Sequence, residues 1–143
     1  MPRILEKDME ATIEADLIDA GYFKREPECY DKALCLDPEI LINFLIATQR
    51  EKWAEYQKQL GTRARDALLT KVKEEIDKRG TLELLRKPFA SYGVYFDFVY
   101  FRPASGLNIS YQEKYHGNMF SVMRQVKYSV RNEKSLDMVL FLN

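Results

Sequence analysis

Hydrophobic positions recur at helical spacing through the first two thirds of the chain and alternate through the last third. Leu5, Met9, Ile13 and Leu17 fall at every fourth position, with Ile18 and Ala20 widening the stripe, so residues 4–20 predict an amphipathic helix. Gly21 is placed to end it in a left-handed conformation. Residues 22–36 have no clear period and contain Pro27, which predicts a loop. A helix start follows, with Asp37 as N-cap, Pro38 at the first helical position and Glu39 in the first turn. Ile40, Leu41, Phe44 and Leu45 form its inner face. The polar Thr48-Gln49-Arg50 marks a break, after which Trp53, Tyr56 and Leu60 continue a stripe to Gly61. Thr62 can cap a further helix burying Ala64, Leu68, Val72 and Ile76, and a short helical turn from Thr81 to Lys87 stops at Pro88.

From Gly93 the pattern changes. Residues 93–103 are dense in β-branched and aromatic side chains and predict a strand ended by Pro103. Ile109–His116 predicts one or two helical turns. Residues 118–129 alternate, with Phe120, Val122, Val126 and Tyr128 on one face and Ser121, Gln125 and Lys127 on the other, a strand with one drier side. Residues 135–142 are apolar on both faces apart from Ser135 and Asp137, the pattern of a central buried strand. The fold class expected is α+β (or α/β): a single domain over 1–143, mainly helical over 1–90 and strand-rich over 91–143.

Composition narrows the function classes. A hydrophobic content of 46% with 13% aromatic residues is that of a globular chain of 143 residues. No apolar run is long enough to span a bilayer, and the first ten residues lack the apolar segment of a signal peptide, so the expectation is a cytoplasmic protein without membrane contact. Cys29 and Cys35 fit that compartment as thiols. One histidine, His116, leaves little for a zinc site, and its place before Gly117 reads as a helix end. The net charge is zero, but residues 1–60 carry an acidic excess and residues 61–143 a matching basic one.

The residues then offer a few candidate sites, each with an ordinary alternative. Asp137, flanked by Leu136 and Met138, must be paired, protonated or metal-bound if the strand is central. Otherwise it lies at the strand's exposed entrance beside Arg131 or Lys134. Arg124, Lys127, Arg131 and Lys134, interleaved with Tyr128 and Asn132, could meet phosphate oxygens or decorate an exposed edge. Glu10 and Glu14 share a helix face as a possible metal-facing pair, or as ordinary acids of an early helix. The aromatic residues of 95–101 could stack bases or fill a core. No phosphate-binding glycine loop and no zinc spacing is present.

Several segments in their joint order carry a resemblance. "ALCLDPEILINFLIATQREKW", "RGTLELLR", "FRPASGLN" and "YHGNMFSVMRQVKYSVRNEKSLDMVLFLN" together resemble the N-terminal region of the restriction (R) subunit of type I restriction–modification enzymes. The resemblance implies an incomplete restriction-endonuclease-like core of PD-(D/E)xK type, in front of an ATP-driven DNA translocase. It implies Mg²⁺ and ATP as cofactors of the parent protein, and DNA with the methyltransferase and specificity subunits as its partners. Asp137 matches the family's catalytic, metal-binding aspartate, and Glu14, in preference to Glu10, is the glutamate expected to join it. Arg124, Lys127, Arg131 and Lys134 are the expected DNA contacts. The family's Glu-x-Lys element has no counterpart, since neither Glu-x-Lys nor Asp-x-Lys occurs anywhere in the chain. The expectation is therefore a truncated domain that binds Mg²⁺ poorly, cuts nothing alone, and self-associates through an unpaired strand edge. The alternative is a helical interaction module in which acids such as Glu39, Glu51 and Glu55 dock onto the motor or the methyltransferase–specificity subunits. A free-standing DNA-binding domain using the basic half is a third reading.

Overall fold

The computed structural model describes residues 2–143, with side chains from Leu5 onward. The elements run α1 (Pro2–Asp19), β1 (Phe23–Lys24), α2 (Pro38–Thr48), α3 (Arg50–Leu60), α4 (Ala64–Arg79), α5 (Thr81–Arg86), β2 (Phe89–Ser91), β3 (Val94–Phe96), α6 (Ile109–His116), β4 (Phe120–Lys127) and β5 (Ser135–Leu142). This is a mixed α+β chain with a helical first half. It divides into two compact units, one formed by residues 1–37 with 119–142, the other by residues 38–118 with Asn143. Among the described residues no helix is long and apolar enough to cross a membrane.

The helices of the second unit follow the hydrophobic period. Phe44, Leu45, Tyr56, Leu68 and Val72 are all buried, as their spacing requires. The expected cap at Thr62 is replaced by a 3₁₀ turn over Gly61–Arg63, after which α4 starts at Ala64. Of the single strand expected over 93–103 only Val94–Phe96 is a strand, and it forms a hairpin with β2, which lies before that span. Tyr92 and Gly93 adopt φ of 50° and 78°, the two successive positive values of a two-residue turn, so β2 and β3 pair across it. Phe89, Phe96 and Phe98 are buried from this region, Phe89 stacking on Phe98 at 4.5 Å, while Tyr95 and Phe101 are exposed.

Residues 97–100 are largely buried and lie outside any strand, with a bend at Phe98, and side-chain amides take up part of their backbone hydrogen bonding. Gln49 accepts from Asp97 N and donates to Asp97 O, both at 2.8 Å. Asn118 accepts from Tyr100 N at 3.1 Å and donates to Tyr100 O at 2.7 Å. Each carboxamide presents a donor and an acceptor side by side, which is what one residue of a neighbouring strand would offer. The helix break at Gln49 thus has a structural use.

Tyr100 gives this unit an alkaline sensitivity. Burial pushes its phenol up to about 12, Asp97's charge adds to the rise and the Thr48 hydroxyl partly opposes it. An unfolded tyrosine ionises near 10.0. Its contribution to stability is therefore intact below pH 10, and is lost as pH rises through the folded value. Tyr100→Phe is expected to remove that part of the loss, so its urea midpoint should fall less steeply than that of wild type across this range. Parallel pH profiles for the two proteins would contradict the assignment.

In the first unit β1, β4 and β5 form one sheet in that order, β1 parallel to β4 and β4 antiparallel to β5. The sequence placed β5 at the centre and gave β4 one dry face. The structure reverses these roles: β4 is central, with Ser121, Val122, Met123 and Val126 buried, and β5 is an edge with Leu140 52% exposed. The cause is β1, two residues within a stretch read as loop, which occupies the far side of β4. α1 ends as expected, with Gly21 at φ 107° and Tyr22 N donating to Leu17 O in a Schellman arrangement. Its apolar stripe, however, is not buried: Leu5, Met9 and Ile13 are all exposed.

Candidate metal centre

α1 carries Glu6, Glu10 and Glu14 at successive i, i+4 positions, which stack on one helix face. That face meets basic residues of the sheet. Arg124 Nη2, on β4, donates to Glu10 Oε2 at 3.0 Å, and its Nε lies 3.9 Å from Glu14 Oε2. Lys24 Nζ, on β1, lies 3.4 Å from Glu14 Oε1. Ion pairing, not apolar burial, is what turns this face of α1 toward the sheet.

Asp137 stands on β5 at a lapse in the ladder. Arg124 pairs with Met138 and Val126 with Leu136, so the position opposite Asp137 is Gln125, where no pair is made. Gln125 adopts φ 55°, a left-handed conformation that costs a non-glycine residue about 1 kcal/mol or more. Strain of this kind in a central strand breaks the regular alternation beside Asp137. Glu6, Glu10, Arg124, Gln125 and Asp137 line an open cleft of about 460 Å³ together with Lys7.

Carboxylate oxygens of Glu6, Glu10 and Asp137 lie within 4.8 Å of one another. Three carboxylates are a hard oxygen donor set of the kind that suits Mg²⁺, Mn²⁺ or Ca²⁺. Ligand oxygens around Mg²⁺ stand roughly 3 to 4 Å apart given bonds of about 2.1 Å, so the three acids need only small rotamer adjustments or bridging waters. The residues present therefore fit a divalent cation.

The placements of the expected site residues differ from one another. Asp137 is exposed and lies in this cluster. Glu14, the glutamate expected to join it, does not: it is buried a turn further along α1 and engaged by Lys24. Glu10 takes its place, and Glu6 joins them. The signal for Glu6 was the same i, i+4 spacing, followed one turn toward the N-terminus. Arg124, expected to meet DNA, is paired with Glu10. Lys127 is paired with Glu133, whose carboxyl it holds below the ordinary range by a hydrogen bond and by charge, with Lys32 adding to the effect. Arg131 and Lys134 are exposed on the connection between β4 and β5. Cys29 and Cys35 are free thiols, and His116 is the last residue of α6. No protein-family model matches the chain, and neither a curated protein nor a solved structure was found to match it.

Proposed function

We propose that the chain forms the metal-holding part of a DNA nuclease domain, of the kind its sequence resembles in type I restriction enzyme R subunits. The observation that carries this reading is the convergence of Asp137 with Glu6 and Glu10 in an open cleft, at the point where β4 is distorted. A divalent cation bound there would supply charge for a scissile phosphate and lower the pKa of a coordinated water. In this reading Glu6, Glu10 and Asp137 hold the cation, and Arg124 fixes the Glu10 carboxylate. Arg131 and Lys134, exposed just before β5, would meet the DNA backbone. With no Glu-x-Lys in the chain, the lysine that orients a nucleophile in that chemistry has no counterpart, so cation binding without cleavage is expected.

Titration with Mn²⁺, followed by electron paramagnetic resonance, tests this directly. Wild type is expected to bind one ion weakly, and Asp137→Asn and Glu6→Gln are each expected to weaken binding about tenfold, since each removes one of three charges from an exposed site. Absence of saturable binding would overturn the metal reading. Mg²⁺-dependent DNA cleavage by the wild type, lost in Asp137→Ala, would overturn the expectation of inactivity.

A further inference from the structure

α1 is amphipathic, yet the side it turns to its own sheet is the acidic one. Leu5, Met9 and Ile13 are 69%, 61% and 44% exposed, and their four-residue spacing aligns them along one side of the helix. Asp8, Asp16 and Asp19 are also exposed, and among the described residues none of the three carries an ion pair. Lys7 is the one basic residue among the described side chains of the helix. The surface is thus an apolar ridge bordered by uncompensated acids.

We propose that this ridge docks, helix in groove, onto a protein partner whose apolar groove is rimmed by lysines or arginines. The charge pattern selects that occupant. A second copy would bring acid against acid along the same ridge. A nucleic acid or an anionic lipid surface would be repelled by it. A groove with a basic rim matches both parts of the surface, taking the ridge by its i, i+4 anchors and the acids by charge. The proposal is independent of the metal reading, because neither the anchors nor Asp8, Asp16 and Asp19 belong to the carboxylate cluster.

A labelled synthetic helix of leucine and lysine, with leucines at helical spacing, serves as the probe, and its leucine–glutamate counterpart as the control. The lysine peptide is expected to bind the 143-residue chain saturably by fluorescence anisotropy, shifting the methyl resonances of Met9 and Ile13. The combined Leu5→Gln, Met9→Gln and Ile13→Gln variant keeps every charge and uses a good helix former at exposed positions, so the fold should be retained. It is expected to weaken binding roughly tenfold or more, as loss of anchor residues does. Asp8→Asn with Asp16→Asn should also weaken it, and added salt should weaken it further. Undiminished binding by the glutamine variant would reduce the effect to bulk charge and overturn the proposal. So would equal binding of the glutamate peptide, or absence of binding by the lysine peptide. Wild-type dimerisation abolished by the same glutamine substitutions would assign the ridge to a second copy and overturn it as well.

Discussion

Phe96→Ala is expected to destabilise the unit formed by residues 38–118 by about 4 kcal/mol. The ring is fully buried and stands at the centre of an aromatic group. Tyr56 meets it edge-on at 5.4 Å and 89°, Phe89 lies at 5.8 Å and Trp53 at 6.5 Å. Alanine removes the transfer energy of the ring and leaves a cavity. It also removes the edge contact with Tyr56, a kind of pair worth roughly 1 kcal/mol beyond its area. Trp53 is the only tryptophan of the chain and belongs to the same group, so its fluorescence in a urea titration reports on this unit. Tyr95→Ala, one residue away on the same strand but 60% exposed, should stay within about 0.5 kcal/mol of wild type. A Phe96→Ala loss below about 1.5 kcal/mol would mean that the aromatic group is not the core of this unit.

The contrast between Phe96 and Tyr95 also shows where the sequence was informative. A density of aromatic and β-branched residues identified an aromatic strand, and helical spacing identified the buried faces of α2, α3 and α4, because in this unit each apolar stripe meets another. The hairpin turn was missed because Tyr92 supplies one of its two positive φ values, where glycine, asparagine or aspartate is the usual cue. The exchange of roles between β4 and β5 was missed for a different reason. β1 is two residues long, has no period of its own and exists only through long-range pairing with Ser121 and Val122. Local pattern cannot register such a strand, and without it β4 reads as needing only one neighbour.

The candidate site was legible in one of its parts. Asp137 stood out because a charge inside an apolar run requires an explanation whatever the fold. Which glutamates meet it depends on how far α1 slides along the sheet, and that is set by Arg124 with Glu10 and by Lys24 with Glu14. Arg124 and Glu10 stand 114 positions apart, and a pair so distant leaves no mark on spacing. The acidic face of α1 was visible as a weak i, i+4 pair. Its inward orientation was not, because apolar periodicity points to the opposite arrangement. The pairing of Arg124 with Glu10 was hidden for the same cause: a cation on a strand shows its charge in the sequence and conceals its partner.

Arg25→Met should cost the unit of residues 1–37 and 119–142 roughly 3 kcal/mol. Arg25 donates from Nε to Asp37 Oδ2 at 2.8 Å and from Nη2 to Asp37 Oδ1 at 3.2 Å, a bidentate pair in which Asp37 is only 1% exposed. Desolvating a carboxylate so fully is tolerable when an opposite charge faces both its oxygens, and removing that charge takes away an interaction that offsets much of the desolvation penalty. Arg25 also donates its backbone N–H to Val122 O at 3.0 Å, directly after the β1–β4 pairing. Loosening its side chain should therefore raise amide exchange at Arg25 and along β4 toward Arg124. A double-mutant cycle separates the contributions. Asp37→Leu in the Arg25→Met background should recover part of the loss, because it removes the buried carboxylate whose desolvation Arg25 offsets. Added salt should change little, since a pair this buried is weakly screened. A single-variant cost below about 1 kcal/mol, or a strong salt dependence, would place Arg25 with ordinary surface pairs and leave β1 without its anchor.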